Sequence, residues 1–182
     1  MLDHLNPAMQ EFIKHQEMMF VGTADGKGKA DASFRAGHPN FVKVLDERTL
    51  AYPEFRGNGV MSSMGNISEN LHVGLMFIDF AKDRIGLHVN GGARIVEHHE
   101  FVTLLESSSA ADALSGDSMI VELIGRDPGN FERRVIVSVE EAYVHCSKHI
   151  PLMQKVEREL QWGTDDARAK GGDYFGADRP DK

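Results

Sequence analysis

Two fold classes compete in residues 49–79, which read TLAYPEFRGNGVMSSMGNISENLHVGLMFID. The pattern predicts a strand, a glycine loop, a short helix over Met61–Asn70 and a second strand. The loop Gly57–Ser62 is one residue away from the G-x-G-x-x-G fingerprint of dinucleotide-binding α/β folds, and Asp79 lies near the spacing of a ribose-binding carboxylate. However, Ser62 replaces the third glycine, and the five residues from Pro53 to Gly57 separate the strand from the loop. We therefore do not expect this stretch to form an α/β dinucleotide-binding unit.

The residues before this stretch point to another fold, because they predict two β-hairpins. Turn-forming residues at 25–28 (Asp-Gly-Lys-Gly) and at 46–48 (Asp-Glu-Arg) each separate two short runs of strand-forming residues. We expect Pro53 to end the last of these strands, since proline cannot donate a backbone hydrogen bond. The four predicted strands are Phe20–Thr23, Ala30–Phe34, Phe41–Leu45 and Thr49–Tyr52.

The rest of the chain adds more strands and few helices. Asn6-Pro7 predicts the start of a first helix that ends near Met18, and Leu152–Trp162 predicts a last helix. About eight short strands with few helices indicate a mainly β fold, a small β-barrel with flanking helices. We expect residues 1–162 to form a single domain, followed by a polar tail at 163–182. The further strands are His72–Phe80, Ile85–Val96 (broken at Gly91-Gly92), Met119–Ile124 and Arg134–Cys146.

Composition narrows the possible functions. The 182 residues are 41% hydrophobic and 26% charged, which is enough for a packed core. A formal net charge of -8 argues against nucleic-acid binding, because neutralising phosphates needs a surplus of Lys and Arg. No apolar run approaches the roughly 18 residues of a membrane span, and the first residues are not typical of a signal peptide, so we expect a cytoplasmic protein.

Small polar residues around the predicted helix indicate a site for an anion. Backbone amides and short side-chain donors converge where a glycine loop meets a helix N-terminus. Asn58, Ser62 and Ser63 supply such donors, and Ser33 and Arg35 at the end of an earlier strand could contact the same phosphate. The alternative is that Asn58 and Ser62 only cap the helix and that Arg35 is a solvated loop residue.

Histidine and cysteine residues give a weaker indication of function. Adjacent His98 and His99 point to different sides of the backbone, so we expect no metal site there. The single cysteine, Cys146, excludes an internal disulfide. Lys148 and neighbouring histidines could favour its thiolate, or Cys146 could be an ordinary residue at the end of a strand.

A set of short motifs follows in a fixed order between Phe20 and Ile150. They are Phe20–Asp25, Ala32–Gly37, Phe41–Asp46, Arg48–Pro53, Gly57–Gly59, Gly65–Ile67, Val73–Asp79, Leu87–Gly91 and Ala142–Lys148. The ordered set resembles the pyridoxamine 5'-phosphate oxidase-like flavin-binding split barrels. The resemblance implies a six-stranded antiparallel split barrel, a homodimer, and one FMN in each of two clefts between the subunits.

The resemblance also implies roles for individual residues. The implied cofactor-binding residues are Ser33 and Arg35 at the phosphate, Leu50, Ala51, Tyr52 and Pro53 along the flavin ring, and Asn58, Ser62, Ser63 and Asn66 in the loop and helix. Lys148 and His149 are implied on the substrate side of the cleft. Ser62-Ser63 stands where true pyridoxamine phosphate oxidases carry an Arg-Lys pair, and the tail lacks their Arg and His motif, so vitamin B6 is not the expected substrate.

These observations lead to one functional prediction and its alternatives. We expect an FMN-dependent oxidoreductase that acts on an unknown small molecule, with the redox chemistry supplied by the flavin and no required acid or base in the chain. The alternatives are a flavin carrier or sensor without turnover, and a split barrel that binds deazaflavin F420 or haem.

Overall fold

The computed structural model describes residues 1–55, 59–107, 131–156, 166 and 168–176. Three α-helices, seven strands and one 3-10 turn make up its regular structure in this part of the chain. The helices are α1 (Pro7–Lys14), α2 (Ser62–Glu69) and α3 (His98–Ser107), and the 3-10 turn is Ser147–His149. The strands are β1 (Met18–Ala24), β2 (Ala30–Ala36), β3 (Lys43–Asp46), β4 (Thr49–Phe55), β5 (His72–Asp79), β6 (Ile85–Val96) and β7 (Phe131–His145).

The seven strands form one antiparallel sheet in the order β2-β1-β5-β6-β7-β4-β3. Each predicted hairpin therefore lies at one edge of the sheet, β1–β2 at one end and β3–β4 at the other. The mainly β split-barrel prediction is confirmed, but the expected count of six strands is wrong because the described part of the chain contains seven. The predicted strand Met119–Ile124 lies outside the described residues.

The concave face of the sheet holds the main hydrophobic core. Alternate residues of the central strands point into it, including Val21 of β1, Leu75 and Phe77 of β5, and Val137 of β7. Helix α1 covers the core with Ile13, and its first turn is capped by Asn6, whose side chain accepts from the Met9 N–H at 3.0 Å. A smaller cluster on the other side of β4, β6 and β7 packs around Phe101 of α3.

Two strands continue where the sequence predicted a break. β4 runs past Pro53 to Phe55, because it stays paired with β7 there while its pairing with β3 ends at Ala51. The proline therefore lies where one edge of β4 has no partner strand among the residues that the structure describes. β6 runs through Gly91-Gly92, and the irregularity is a bulge at which Glu140 of β7 is the extra residue between the Asn90 and Gly91 pairs.

Both predicted terminal helices differ from the structure. Helix α1 ends at Lys14, and Met18 already starts β1. Residues 151–156 form neither helix nor strand, since Met153 N–H donates to the Phe80 carbonyl at 2.9 Å and holds this part of the chain against the end of β5. The remainder of the predicted last helix and the expected domain boundary at residue 162 lie outside the described residues. No helix in the described ranges is long and apolar enough to cross a membrane.

Candidate functional site

A polar cluster lies inside the barrel where β2, β4 and the first turn of α2 meet. Ser33 and Arg35 project inward from β2, Glu54 projects from β4, and Ser63 projects from α2. The hydroxyl oxygens of Ser33 and Ser63 are 2.8 Å apart, and the Arg35 Nη2 donates to the Ser63 Oγ at 3.3 Å. Although β2 is an edge strand, the curvature of the sheet carries it to β4 near the opposite edge.

The ion pair between Arg35 and Glu54 bridges these two distant strands. The Arg35 Nε donates to one Glu54 carboxylate oxygen at 2.8 Å, and the Arg35 Nη2 donates to the other. The side chain of Glu54 is only 3% exposed and that of Arg35 is 17% exposed, so both charges are largely removed from water. Burying a carboxylate to this extent is costly unless a cationic partner contacts both of its oxygens, as Arg35 does here.

The electrostatics of Arg35 follow from this contact. Burial alone would lower the pKa of Arg35, but the hydrogen bonds and charge of Glu54 raise it above its ordinary value. The guanidinium also donates from Nη1 to its neighbouring Phe34 carbonyl at 3.0 Å. Arg35 is therefore a permanent cation whose charge is mostly balanced by Glu54 rather than left open for a ligand.

Helix α2 is fastened to the first hairpin by two polar contacts. The Asn66 Nδ2 donates to the Thr23 hydroxyl at 2.9 Å, and the Gly26 N–H donates to the Glu69 carboxylate at 3.0 Å. Met61 precedes the helix in a left-handed conformation, with a φ of 54°, and no side chain among the described residues caps the first turn. The first turn of α2 therefore keeps backbone N–H groups available beside the exposed Ser62 and the buried Ser63.

Strand β4 presents a buried tyrosine next to the polar cluster. Tyr52 is fully buried, and its hydroxyl has no hydrogen-bond partner among the described residues. Burial, and secondarily the charge of Glu54, raise the pKa of Tyr52 far above its ordinary value, so its hydroxyl keeps its proton. Leu50 and Ala51 are also fully buried and Pro53 is buried, so a ligand beside β4 would meet its backbone rather than these side chains.

The structure brings together only part of the predicted site. Ser33 and Arg35 both contact Ser63, and Asn66 lies one turn further along α2. Asn58 lies outside the described residues. Lys148 and His149 are exposed on the 3-10 turn after β7, and no contact joins them to the polar cluster within the described part of the chain. The predicted cofactor and substrate roles of all these residues stay predictions.

Glu54 is the residue that sequence reasoning missed. The signal was present, because Leu50, Tyr52 and Glu54 alternate along a strand and must share one face. A carboxylate that follows two inward-facing apolar residues in this way needs a cationic partner inside the fold. The expected end of the strand at Pro53 removed Glu54 from consideration.

A second cluster of ionisable side chains lies on the opposite, outer face of the sheet. The His88 Nε2 and the His145 Nδ1 are 2.9 Å apart, and the His88 ring stacks on Tyr143 with centroids separated by 4.8 Å. Burial, and secondarily the charge of His145, lower the pKa of His88. Cys146 follows immediately and is exposed, in agreement with a residue at the end of a strand.

Comparisons with known proteins agree with this architecture. The family model for pyridoxamine 5'-phosphate oxidase matches residues 5–146, and no curated protein sequence matches the chain. The structure of HupZ from Group A Streptococcus superposes with a TM-score of 0.52 at 21% identity, covering 77% of this chain and 93% of HupZ. A pyridoxamine 5'-phosphate oxidase-like protein from Lactobacillus delbrueckii gives a TM-score of 0.53 at 15% identity, covering 78% and 95%. At these identities the two structures share the fold, and the family match over most of the sequence adds the relationship: the chain belongs to the pyridoxamine 5'-phosphate oxidase family.

Proposed function

We propose that this protein is a cytoplasmic, homodimeric FMN-binding oxidoreductase that acts on a small molecule. Membership of the pyridoxamine 5'-phosphate oxidase family supports a flavin as the cofactor. The observation that carries the proposal is the convergence of the Ser33 and Ser63 hydroxyls with the Arg35 guanidinium at the start of α2. Hydroxyl and helix-start N–H groups are donors suited to a phosphate group, and the Arg35 guanidinium, engaged by Glu54, holds the Ser63 hydroxyl beside them.

The residues present fit a phosphate monoester better than a free inorganic anion. Glu54 already balances most of the charge of Arg35, so the site offers many hydrogen-bond donors but little net positive charge. A site with little net charge binds a phosphate group tightly only if the protein also binds the rest of the ligand. In the described part of the chain, the edge of β4 beyond Ala51 has no partner strand on the β3 side, and it would offer a backbone surface for an aromatic ring system.

In this proposal the cofactor and the chain have separate roles. When bound, FMN supplies the two-electron redox chemistry. The chain would bind and orient it: Ser63 and Ser62 as donors at the phosphate, Ser33 and Arg35 holding the Ser63 hydroxyl, and Glu54 fixing the guanidinium. Tyr52 remains protonated and excludes water beneath the strand, since its hydroxyl is buried.

An absorption spectrum of the purified protein tests the choice of cofactor. We expect the two broad absorption bands of an oxidised flavin. Denaturation should release this flavin, and a released flavin that phosphodiesterase does not cleave would be the mononucleotide FMN. A sharp Soret band would instead indicate haem, and a deazaflavin spectrum would indicate F420. Anaerobic mixing with NADH or NADPH then separates an enzyme from a carrier, because a carrier would leave the flavin oxidised.

A further inference from the structure

The polar cluster inside the barrel has balanced charges before any ligand binds. Glu54 contributes one negative charge and Arg35 one positive charge, and two hydrogen bonds join them. Within the described ranges, Arg35 is the only cation that makes a hydrogen bond or an ion pair with another member of the cluster. The remaining members, Ser33 and Ser63, are neutral. The cluster therefore offers hydrogen bonds to an anion but no surplus of positive charge.

The guanidinium of Arg35 joins the carboxylate to the start of α2. Its Nε and Nη2 donate to Glu54, and Nη2 also donates to the Ser63 Oγ at 3.3 Å. A phosphate group bound at the first turn of α2 would lie beside Ser63 and would therefore share this guanidinium with Glu54. Two anionic groups would then compete for one cation.

Strands β2 and β7 add one negative charge and one cation that is already engaged. Asp31 lies on the inner side of β2 and acts on Arg35 as a further negative charge. Arg133 of β7 is the register partner of Glu54, but its Nε donates to the Glu97 carboxylate at 2.7 Å. The polar cluster therefore gains no net positive charge from these two strands.

The other elements around Glu54 place no further charge beside it in the part of the chain that the structure describes. Tyr52 of β4 keeps its proton, because its hydroxyl is buried. On β3, Lys43 pairs with Ala51, so its side chain lies on the other side of β4, where Ala51 packs in the smaller hydrophobic cluster. The only ionisable residue of α2 is Glu69, which lies at the far end of the helix and accepts from the first hairpin.

A fully ionised phosphate monoester would give the occupied cluster an excess of negative charge. The phosphate would bring about two negative charges and Glu54 a third, against the single positive charge of Arg35. Negative charges that lie close together and away from water disfavour each other, and the excess is relieved when one of the groups takes up a proton. The second ionisation of a phosphate monoester has a pKa of about 6, so a modest shift is sufficient near neutral pH.

We propose that Glu54 determines the charge at which this site accepts a phosphate monoester, so that each FMN that binds takes up one proton from solvent. The proton is shared between the phosphate and the Glu54 carboxylate, and the guanidinium of Arg35 contacts both groups. The inference rests on the proposed function, since it requires the phosphate of FMN to bind beside Ser63. It adds a specificity-determining residue, because Glu54 penalises a doubly charged phosphate and makes the affinity fall as the pH rises.

The affinity for FMN as a function of pH tests this proposal in the wild-type protein. Fluorescence titration of apoprotein measures the dissociation constant, which should rise from about pH 6.5 to about pH 8.5 by up to about tenfold per pH unit, the slope for one proton. Riboflavin lacks the phosphate, so its dissociation constant should stay constant over this range. Calorimetry in two buffers with different ionisation enthalpies counts the protons, and we expect about one per FMN at about pH 7.5.

Glu54→Gln separates the role of the carboxylate from that of the phosphate itself. Glutamine keeps the size of the side chain and one acceptor oxygen for Arg35, but it removes the negative charge. At about pH 8 we expect this variant to bind FMN about tenfold more tightly than wild type, with a weaker dependence on pH. Asp83→Asn removes a carboxylate from the exposed turn after β5 and should follow the wild-type profile. Circular dichroism confirms that both variants are folded.

The results distinguish this proposal from the proposed function. An affinity for FMN that does not change with pH, with no proton taken up, overturns the role of Glu54 and leaves FMN as the cofactor. A folded Glu54→Gln variant with the wild-type affinity, slope and proton count also overturns it, because the proton would then belong to the phosphate alone. An apoprotein that binds no FMN at any pH refutes the proposed function and this inference together. If Glu54→Gln does not fold, the wild-type titration and proton count decide.

Discussion

Strand β2 reverses the usual arrangement of a half-buried strand, because its inner side is polar and its outer side is apolar. Its inward side carries Asp31, Ser33 and Arg35, whereas its outward side carries alanines and Phe34. Strand β1, its neighbour, buries Met19 and Val21 in the ordinary way. A polar inner side and an apolar outer side are each costly alone. The difference teaches that the inner side of β2 is given over to polar contacts inside the barrel, while its apolar residues are turned to the exposed side.

The largest expected effect comes from breaking the inner side of this comparison. Glu54→Ala leaves the Arg35 guanidinium buried without its carboxylate and should lower the free energy of unfolding by about 3 kcal/mol. Urea denaturation followed by circular dichroism measures the change. Asp83→Ala, which removes a carboxylate from the exposed turn after β5, is the matched control and should have an effect below about 0.5 kcal/mol. A Glu54→Ala variant as stable as wild type would show that Glu54 does not hold the inner face together.

A smaller effect is expected from the hydroxyl that links the inner face to α2. Ser63→Ala removes the contacts with Ser33 and Arg35 and should weaken FMN binding about tenfold, the value of one lost hydrogen bond to a charged group. Ser68→Ala changes the same helix where the hydroxyl only bonds its own turn, and should leave binding unchanged. Fluorescence titration of apoprotein with FMN compares the two, and equal affinities would remove the polar cluster from the cofactor site.

The smallest effect concerns His88, which stacks on Tyr143 and lies 2.9 Å from His145 on the outer face of the sheet. Because the pKa of His88 is lowered in the folded protein, the unfolded chain takes up a proton first as the pH falls below 6.5, and stability decreases. His88→Gln should therefore show a shallower loss of melting temperature between neutral pH and about pH 5 than wild type. His15→Gln, at an exposed residue of α1's end, should follow the wild-type profile. Identical slopes for all three proteins would show that His88 does not carry this dependence.

The sequence predicted the local parts of the fold well, for a physical reason. The turn around Asp25–Gly28 is held by bonds within itself, such as the Lys29 N–H donating to Asp25 at 2.8 Å, so its residues are sufficient to predict it. The inward placement of Ser33 and Arg35 follows from the same alternation. Two features depend on distant pairing and were missed: the Arg35–Glu54 bridge and the His88–His145 contact, whose partners lie 19 and 57 residues apart. No local pattern specifies which strands become neighbours.

The bulge on β7 determines which residues in the last third of this strand face the core and which face outward. Up to the bulge, residues of odd number such as Val137 and Val139 point into the core, and after it the even-numbered Ala142 does. The extra residue, Glu140, thus shifts the phase of the strand by one and turns Tyr143 and His145 outward beside His88. Deleting Glu140 would reverse the phase, bring an aromatic ring and an imidazole into the barrel, and turn Val144 outward. One inserted residue therefore sets the chemical character of a whole surface, and length variation at this point in relatives would change that surface without any substitution.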